Sequence, residues 1–438
     1  MDSNKRLISL DIFRGLTIAG MILVNNPGSW SNVYAPFLHA DWDGCTPTDL
    51  VFPFFLFIVG VAIPLALGAR KARGDEQGAI IRKILIRVAL IFGLGLFLAA
   101  FPNFGTAEES PYRPIHYSLL ALFMVAVFIR ELFNQKHNRD TDSGQRWHKI
   151  MGYLTLASLA GMIVIGILAY DFSHLRIPGV LQRIALVYGI CALLFLRTSW
   201  RTQVYIGVGL LTFYWLLMTL VPVPGYGPPN LEPEHNLGAW FDRIILGTDH
   251  LWSQSKVWDP EGFLSTLPAI VTGIIGMLTG LWIKSDHNNY KKLTGILGIG
   301  AILIAAGLFW DLFFPINKKL WTSSYVLYAG GIALLCLGVI YWLVDVLDYK
   351  RWTKPFVVYG MNALFVYIMS GIIAKLSFFY KVSNINGESV TLKTWIYDTF
   401  YLSWLSDFNA SLAYGLSNVL LLWFIAWILY KNRVFIKV

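Results

Sequence analysis

Twelve apolar runs, each about as long as a membrane-spanning helix, constrain the fold of this chain more than any other feature. They cover residues 7–27, 48–68, 80–101, 116–133, 148–170, 179–197, 202–222, 264–283, 292–314, 321–346, 355–379 and 411–430. A helix that crosses the hydrocarbon core needs about 20 mostly apolar residues. Only 14% of the residues are charged, whereas soluble domains carry about 25%. We therefore predict an all-α polytopic membrane protein with about 12 transmembrane helices embedded in a lipid bilayer.

The distribution of lysine and arginine predicts the orientation of these spans. The two terminal segments and every second loop together hold 22 of the 35 basic residues, and the opposite loops hold eight. Basic residues accumulate on the cytoplasmic side of a membrane, so both termini are predicted to be cytoplasmic. The long loops 28–47, 223–263 and 380–410 are then external. Because the basic residues form short clusters between apolar runs, the net charge of +9 does not indicate a nucleic-acid partner.

Ionisable side chains inside two of the predicted spans are candidates for function. Asp11 and Arg14 lie three residues apart in the first span, and Gln182 and Arg183 lie in the sixth. Charges at membrane depth are costly and usually line a functional cavity. The alternatives are a self-neutralising pair near the interface for Asp11 and Arg14, and a snorkelling side chain for Arg183.

The predicted external loop 28–47 contains the most informative polar residues. It carries His39 close to Asp41, Asp43 and Asp49, and it has no lysine or arginine. Histidine exchanges protons near neutral pH, so His39 is a candidate general base. Any of the three carboxylates can orient its ring, although Asp49 is also explained as the first-turn acid of a helix. Four other histidines on the predicted external side compete for the role: His116, His174, His235 and His250. No metal-ligand spacing is present, and we expect no metal.

Several sequence blocks resemble one known family. They are LDIFRG at 10–15, VNN at 24–26, HADWDGCTPTDLVFPFFLFIVG at 39–60, RIPGVLQRIALVYGI at 176–190, WDPEGFLSTLPAIVTGIIGMLTG at 258–280, PINKKLWTSSYVLYAGG at 315–331 and PFVVYGMNALFVYI at 355–368. In this order they resemble the heparan-alpha-glucosaminide N-acetyltransferase family of transmembrane acyltransferases. LDxxRG alone is weak evidence, whereas the histidine loop with DLVFPFF, RIPGVLQR and DPEG is specific.

The resemblance implies a single transmembrane acyltransferase domain over residues 1–438. Its expected activity is transfer of an acetyl group from cytosolic acetyl-CoA to the amino group of a glucosamine-type sugar at the external face. Two departures from the family are an added helical pair at about 116–170 and the lack of a large luminal segment. The second departure favours a bacterial cytoplasmic membrane. A homodimer is one possible assembly.

The resemblance also implies roles for individual residues. The family's catalytic histidine matches His39, and an assisting asparagine matches Asn25, whose amide suits an oxyanion donor. His39 can act as a general base or carry the acetyl group itself. We further expect Arg14, Gln182 and Arg183 to line the acetyl-CoA passage, and Asp41, Asp259 and Glu261 to bind the acceptor. Asp259 and Glu261 also fit a simple helix start, with Pro260 in the first turn.

A secondary transporter of a sugar or other small solute is the alternative function. Twelve spans with both termini inside are common among transporters, and intramembrane charges suit proton coupling. No repeated halves are visible in the sequence. Solute uptake by vesicles without acetyl-CoA would favour the transporter, and acetylation of glucosamine by purified protein would favour the enzyme.

Overall fold

A computed structural model describes residues 7–134, 141–384 and 386–436. In order, its helices are α1 (Ile8–Asn25), α2 (Val51–Ala72), α3 (Gln77–Ala100), α4 (Arg113–Asn134), α5 (Asp142–Ala169), α6 (Val180–Arg197), α7 (Trp200–Leu220), α8 (Leu237–Leu246), α9 (Phe263–Lys284), α10 (Asn289–Asp311), α11 (Ser323–Tyr341), α12 (Lys354–Met361), α13 (Ala363–Phe379), α14 (Leu392–Tyr397) and α15 (Asp407–Lys431). One hairpin pairs β1 (Lys381–Ser383) with β2 (Ser389–Thr391). Five residues in the charge count lie outside the described residues: Lys5, Arg6, Lys136, Arg139 and Lys437.

The predicted fold class is confirmed. Among the described residues, 11 helices are long and apolar enough to cross a membrane, and a bent pair raises the number to 12. Some helices extend beyond the apolar runs because polar capping turns lengthen them. For example, α5 begins at Asp142 rather than near 148, since Thr141 accepts a hydrogen bond from the backbone of Gly144 at 3.0 Å.

The apolar pattern predicted one straight span over residues 355–379, but the structure shows two helices with a bend between them. α12 and α13 meet at 80°, and Asn362 lies at the break. Its Nδ2 donates to Val434 O at 3.0 Å, and its Oδ1 accepts from Ile436 N at 2.9 Å. These bonds hold the C-terminal tail at the bend. In an uninterrupted helix the buried Asn362 amide would lack these two partners.

Close packing of α2 against α9 forms the centre of the bundle. A Cβ atom at Gly60 would lie 2.1 Å from Gly273 O, and one at Gly276 would lie 2.1 Å from Phe57 O. Only glycine permits this approach, which is how helices commonly pack where lipid removes the hydrophobic driving force. α1, α6 and α11 complete the buried core around this pair.

The helical pair expected at about 116–170 is present as α4 and α5. The two helices pack against each other, and they contact the rest of the bundle through α3 and α13. Phe101, Leu120, Met162 and Ile372 share one buried apolar cluster at this junction. That the pair is an insertion relative to the family stays a prediction.

The segments between helices meet at one end of the bundle, which we call the loop end. Gly44 N donates to Ile316 O at 2.7 Å, and Ile177 N donates to His250 O at 3.0 Å. These contacts join, in two pairs, four chain segments that the charge distribution predicts to be external, and a hydrogen bond from Trp42 Nε1 to Leu231 O at 3.0 Å links the two pairs. The loop end is therefore one continuous structure built from residues far apart in sequence.

The orientation can be tested with single cysteines at Ser31, Glu388 and Gln145, all of which are exposed. Because of the charge distribution, we expect a membrane-impermeant thiol reagent to label positions 31 and 388 in sealed cells. Position 145 should react only after permeabilisation. Labelling of position 145 in sealed cells would reverse the predicted topology.

Candidate active site

A short helical turn positions the acidic side of the candidate site. Pro47–Leu50 forms a 3-10 turn that leads into α2, with Thr46 at its N-cap. Asp49 Oδ2 accepts hydrogen bonds from the Thr46 backbone and hydroxyl, both at 3.0 Å. This is the reciprocal arrangement of a capping box, in which the acid satisfies otherwise unpaired donors at a helix start. The sequence TPTD therefore fixes the Asp49 carboxylate at the loop end.

The same carboxylate orients His39. His39 Nδ1 lies 2.6 Å from Asp49 Oδ1, and Ala40 N donates to Oδ2 at 3.0 Å. Asp49 is 1% exposed, whereas the His39 side chain is 41% exposed, so the imidazole can reach a ligand while its partner stays shielded. Of the three candidate acids, Asp49 is the one that contacts the ring. Asp41 is exposed, and Asp43 accepts from Asn317 at 3.1 Å.

The pairing sets the chemistry of the imidazole. An ionised carboxylate only accepts hydrogen bonds, so in the neutral imidazole the proton is assigned to Nδ1 and the free lone pair to Nε2. Among the described residues, no hydrogen bond occupies Nε2. A buried acid on one nitrogen and an open second nitrogen are the arrangement by which a histidine accepts a proton from a bound nucleophile.

Cys45 lies close to this pair but is unsuited to nucleophilic chemistry. Burial, together with the charge of Asp49, raises the pKa of the Cys45 thiol to about 12. The thiolate is the reactive form of cysteine, so Cys45 remains a thiol at physiological pH. His39 is the nucleophilic or basic side chain that this part of the site offers.

A second cluster joins two sequence blocks that are about 80 residues apart. Arg176 makes a bidentate contact with Asp259, at 2.8 and 2.7 Å, and its Nη2 contacts Glu261 at 2.6 Å. Although burial raises the pKa of Glu261, the positive charges of Arg176, Arg183 and Lys318 lower it below its usual value. Two of the three predicted acceptor ligands, Asp259 and Glu261, are thus held in an ion-pair cluster.

Arg183 is 1% exposed and binds the backbone of the same segment. Its guanidinium donates to Pro260 O at 3.1 Å, to Gly262 O at 2.9 Å and to Ser265 Oγ. The group also lies over the Trp321 ring, 5.1 Å from its centroid. These contacts hold the segment 259–262 against α6, and Arg176 binds the two acidic side chains of that segment, Asp259 and Glu261. Arg183 therefore helps to fix the segment 259–262 in place.

Asp242 of α8 closes the far side of segment 259–262. Its Oδ1 accepts from Phe263 N at 2.9 Å, at the start of α9. A Cβ atom at Gly262 would lie 1.9 Å from Asp242 Oδ2, so glycine is required there. Burial is the main cause that raises the pKa of Asp242, to about 7, and the charge of Asp259 adds to it.

This raised pKa predicts a pH-dependent stability. Between the ordinary value of 3.8 and about 7, folded Asp242 holds a proton that the unfolded chain releases. Its contribution to stability is therefore complete below about pH 4 and is lost as pH rises toward 7. Asp242→Asn keeps an acceptor for Phe263 N, so it should reduce the slope of melting temperature against pH between 4 and 7. Identical slopes for both proteins would contradict the assignment.

The other predicted site residues are more dispersed. Asn25 is the last residue of α1, with an exposed side chain. Arg14 contacts Asp11 and Gly360 O, at 3.4 and 3.3 Å, near the opposite end of α1. Gln182 is buried against Gly95 and Gly179. The acetyl-CoA roles expected for Arg14, Gln182 and Arg183 stay predictions.

The competing histidines have other partners. His116 is buried between Tyr170 Oη and Pro102 O, at 2.7 and 2.8 Å. His174 faces Asp249 at 3.2 Å, but both side chains are exposed. His235 stacks on Tyr226, and His250 contacts Leu175 O. Among these histidines, only His39 is paired with a buried carboxylate in the described part of the chain.

Sequence reasoning assigned no role to Arg176 or Lys318. Lys318 lies on the segment 315–322, where burial lowers its pKa while the charges of Glu261 and Asp49 raise it. Its charge therefore interacts with both acidic groups of the site. Both residues fall inside blocks that carried the family resemblance, RIPG and PINKKLW, which was the available signal. Within the described ranges, no group of three His, Cys, Asp or Glu side chains is arranged to hold a metal.

Comparison with known proteins supports the resemblance. A family described as a domain of unknown function, DUF5009, matches residues 6–221. The human protein named heparan-alpha-glucosaminide N-acetyltransferase is 28% identical over 414 residues, covering 83% of this chain and 52% of the human protein. The mouse protein of the same name is 26% identical over 491 residues, covering 100% of this chain and 61% of its own length. The chain thus spans between half and about three-fifths of these relatives.

Proposed function

On the premise that this chain is a distant homologue of heparan-alpha-glucosaminide N-acetyltransferase, we propose that it is a transmembrane N-acetyltransferase. It moves an acetyl group from acetyl-CoA to the amine of a glucosamine-type sugar. The observation that carries this proposal is the 2.6 Å contact between His39 Nδ1 and the buried Asp49 carboxylate. The pair lies at the loop end of the bundle, where an external acceptor would arrive if the predicted orientation holds.

Acetylation of an amine needs a base at this place. A sugar amine is mostly protonated near neutral pH and must lose a proton before it attacks the thioester. The amine gives this first proton to solvent and a second one to His39 Nε2 as it attacks, and Asp49 stabilises the imidazolium that forms. A positioned base typically accelerates such a step by about 10²–10⁴-fold. In the second possible route, Nε2 attacks the thioester first, and the sugar then attacks acetyl-His39.

The donor enters from the opposite end of the bundle. Its nucleotide carries several negative charges, and the ends of α2 and α6 present Arg70, Lys71 and Arg197 there. Lys71 Nζ lies 3.3 Å from both Phe195 O and Leu196 O, and so ties these two helix ends together. With the nucleotide on these cations, the pantetheine arm extends through the bundle toward His39.

The ion-pair cluster shapes the acceptor side. Arg176 bridges Asp259 and Glu261, so these acids form a rigid cluster and are not free counter-ions for an ammonium group. Asp41 is exposed and lies two residues from His39, so it has an open carboxylate for the incoming amine. Acidic oxygens of this kind favour an amine that also carries hydroxyl groups over an apolar one.

The test uses the purified chain in detergent with acetyl-CoA and a panel of amines. We expect mass spectrometry to detect N-acetylation of glucosamine or a glycan that ends in it. Glucose, which lacks the amine, is the matched control. Release of CoA without an acetylated amine, or no reaction with any amino sugar, would contradict the proposal.

One observation keeps the transporter alternative in view. Helices broken within the membrane are typical of secondary transporters, and α12 and α13 form such a break. Here Asn362 and the C-terminal tail occupy the break through two hydrogen bonds, which leaves less polar backbone for a solute. Uptake of labelled glucosamine by acetyl-CoA-free vesicles would decide for the transporter.

A further inference from the structure

Lys318 has a position that the proposed reaction does not yet use. It lies in the segment Pro315–Thr322, PINKKLWT, which connects α10 to α11 at the loop end. Its side chain is only partly exposed. Among the described residues, no hydrogen-bond or ion-pair partner is found for its ammonium group, although both neighbours in the chain have one.

The backbone around Lys318 is held rigidly. Asn317 is fully buried, donates to Asp43 at 3.1 Å and accepts from Leu320 N at 2.8 Å. Asn317 N in turn donates to Thr322 Oγ1 at 3.0 Å. Trp321, also fully buried, anchors the segment through Thr272 at 3.2 Å. A side chain on so constrained a segment has a defined direction, which a catalytic donor requires.

The neighbours of Lys318 in the chain connect it to both halves of the site, because Asn317 binds Asp43 of the His39 loop and Lys319 lies over Trp42 and Trp258. The charge of Lys318 interacts with Asp49, the partner of His39, and with Glu261, the partner of Arg176. Both acids have their hydrogen bonds elsewhere: Asp49 with His39, and Glu261 with Arg176. Lys318 is therefore a half-buried cation near two anions, and among the described residues no hydrogen bond joins it to either of them. Such a group has unused capacity for an anionic atom supplied by a ligand.

We propose that Lys318 Nζ binds the acetyl oxygen and stabilises the oxyanion formed during transfer. This inference rests on the proposed acetyltransferase function. As the amine nitrogen forms a bond to the carbonyl carbon, the C=O electron pair moves to oxygen and His39 takes the amine proton. The C–S bond then breaks, the C=O bond re-forms, and the proton passes to the CoA thiolate. A hydrogen-bond donor fixed in a site with little water stabilises the reaction most at the step where negative charge develops.

Other donors in the site are less suited to this role. Asn25, the amide expected from the resemblance, has an exposed side chain at the end of α1. The Nη groups of Arg183 already donate hydrogen bonds to the segment 260–265. Lys319 already has partners: it contacts Asp41 O and lies over Trp42 and Trp258, 5.7 and 5.9 Å from their centroids.

The test compares Lys318→Met with Lys319→Met in the purified full chain. Both changes remove one ammonium from the same segment, but only the first removes the proposed oxyanion donor. We expect Lys318→Met to lower kcat about 10²–10³-fold, with KM for acetyl-CoA and glucosamine changed less than about threefold. Lys319→Met should keep kcat within about threefold of the wild type.

A chemical rescue separates charge from folding. Lys318→Cys treated with 2-bromoethylamine regains an ammonium on a side chain of nearly lysine length, and the alkylated wild-type chain controls for Cys45, Cys191 and Cys336. We expect kcat to recover at least tenfold on alkylation. This comparison serves equally if Lys318→Met does not fold.

Three results would overturn the inference. They are an unchanged kcat in Lys318→Met, a change confined to the glucosamine KM, and no recovery on alkylation of Lys318→Cys. Each result is compared with a wild-type chain that acetylates glucosamine, so it would leave the proposed function unaffected. A wild-type chain that acetylates no amino sugar would overturn the proposed function, and this inference with it.

Discussion

His39→Ala is expected to abolish acetyl transfer while the protein stays folded and still binds acetyl-CoA. The imidazole is partly exposed and holds Asp49 by one hydrogen bond, so its removal leaves the capping bonds from Thr46 to Asp49 intact. Loss of a general base should lower turnover by about 10²–10⁴-fold, or roughly 2.7–5.4 kcal/mol of activation free energy. Loss of a covalent acetyl carrier should cost more, because its intermediate could not form.

His174→Ala is the matched control for this experiment. It removes a histidine that also faces an aspartate at the loop end, but that pair is exposed on both sides. We expect its turnover to equal that of the wild type, measured as CoA release and as N-acetylglucosamine by mass spectrometry. Near wild-type turnover in His39→Ala would exclude His39 from either role.

The two chemical routes of His39 can be separated without an acceptor. The chain is incubated with labelled acetyl-CoA in the absence of amino sugar, then quenched and digested. Only the covalent route leaves label on the peptide that contains His39. The free Nε2 suits either route, so this measurement decides between them.

Arg183→Ala is expected to destabilise the protein by about 3–5 kcal/mol. The change removes three hydrogen bonds to the segment 260–265 and leaves the carbonyls of Pro260 and Gly262 without these donors. It also opens a space against the Trp321 ring, over which the guanidinium lies. The measurement is the melting temperature of the detergent-solubilised protein, together with its acetyl-CoA affinity.

Arg197→Ala, at the exposed end of the same helix α6, is the control for stability and should leave the melting temperature unchanged. If Arg183→Ala kept wild-type stability and lost only acetyl-CoA affinity, the expected role in the donor passage would be correct. The hydrogen bonds to segment 260–265 would then contribute little to the fold.

The architecture was predictable because a bilayer limits what a chain can do. Every span must be apolar over about 20 residues and satisfy its own backbone, which hydropathy reveals directly. The local sequence does not reveal why one span is broken. Asn362 is a single polar residue in an apolar run. At the bend it accepts a hydrogen bond from Ile436, which lies 74 residues later in the chain.

For the candidate site, too, some features were predictable from the sequence and others were not. The sequence proposed His39 because it lies among acids in a lysine-free loop, and the match of that loop to a family motif favoured it over four other histidines. It also placed Asp49 at the start of a helix, because TPTD is a local capping signal. These are properties of neighbouring residues, and neighbouring residues are what a single sequence displays.

Only the tertiary structure decided which acid orients His39 and which cations belong to the site. Asp41, Asp43 and Asp49 all lie within ten residues of His39 in the chain, but only Asp49 is buried beside the ring. Arg176 meets Asp259 across 83 residues, and Lys318 comes from a segment further on still. Such pairings depend on how the helices pack, because packing determines which loops meet and which charges lose water. That information resides in the arrangement of the whole bundle and in no single stretch of its sequence.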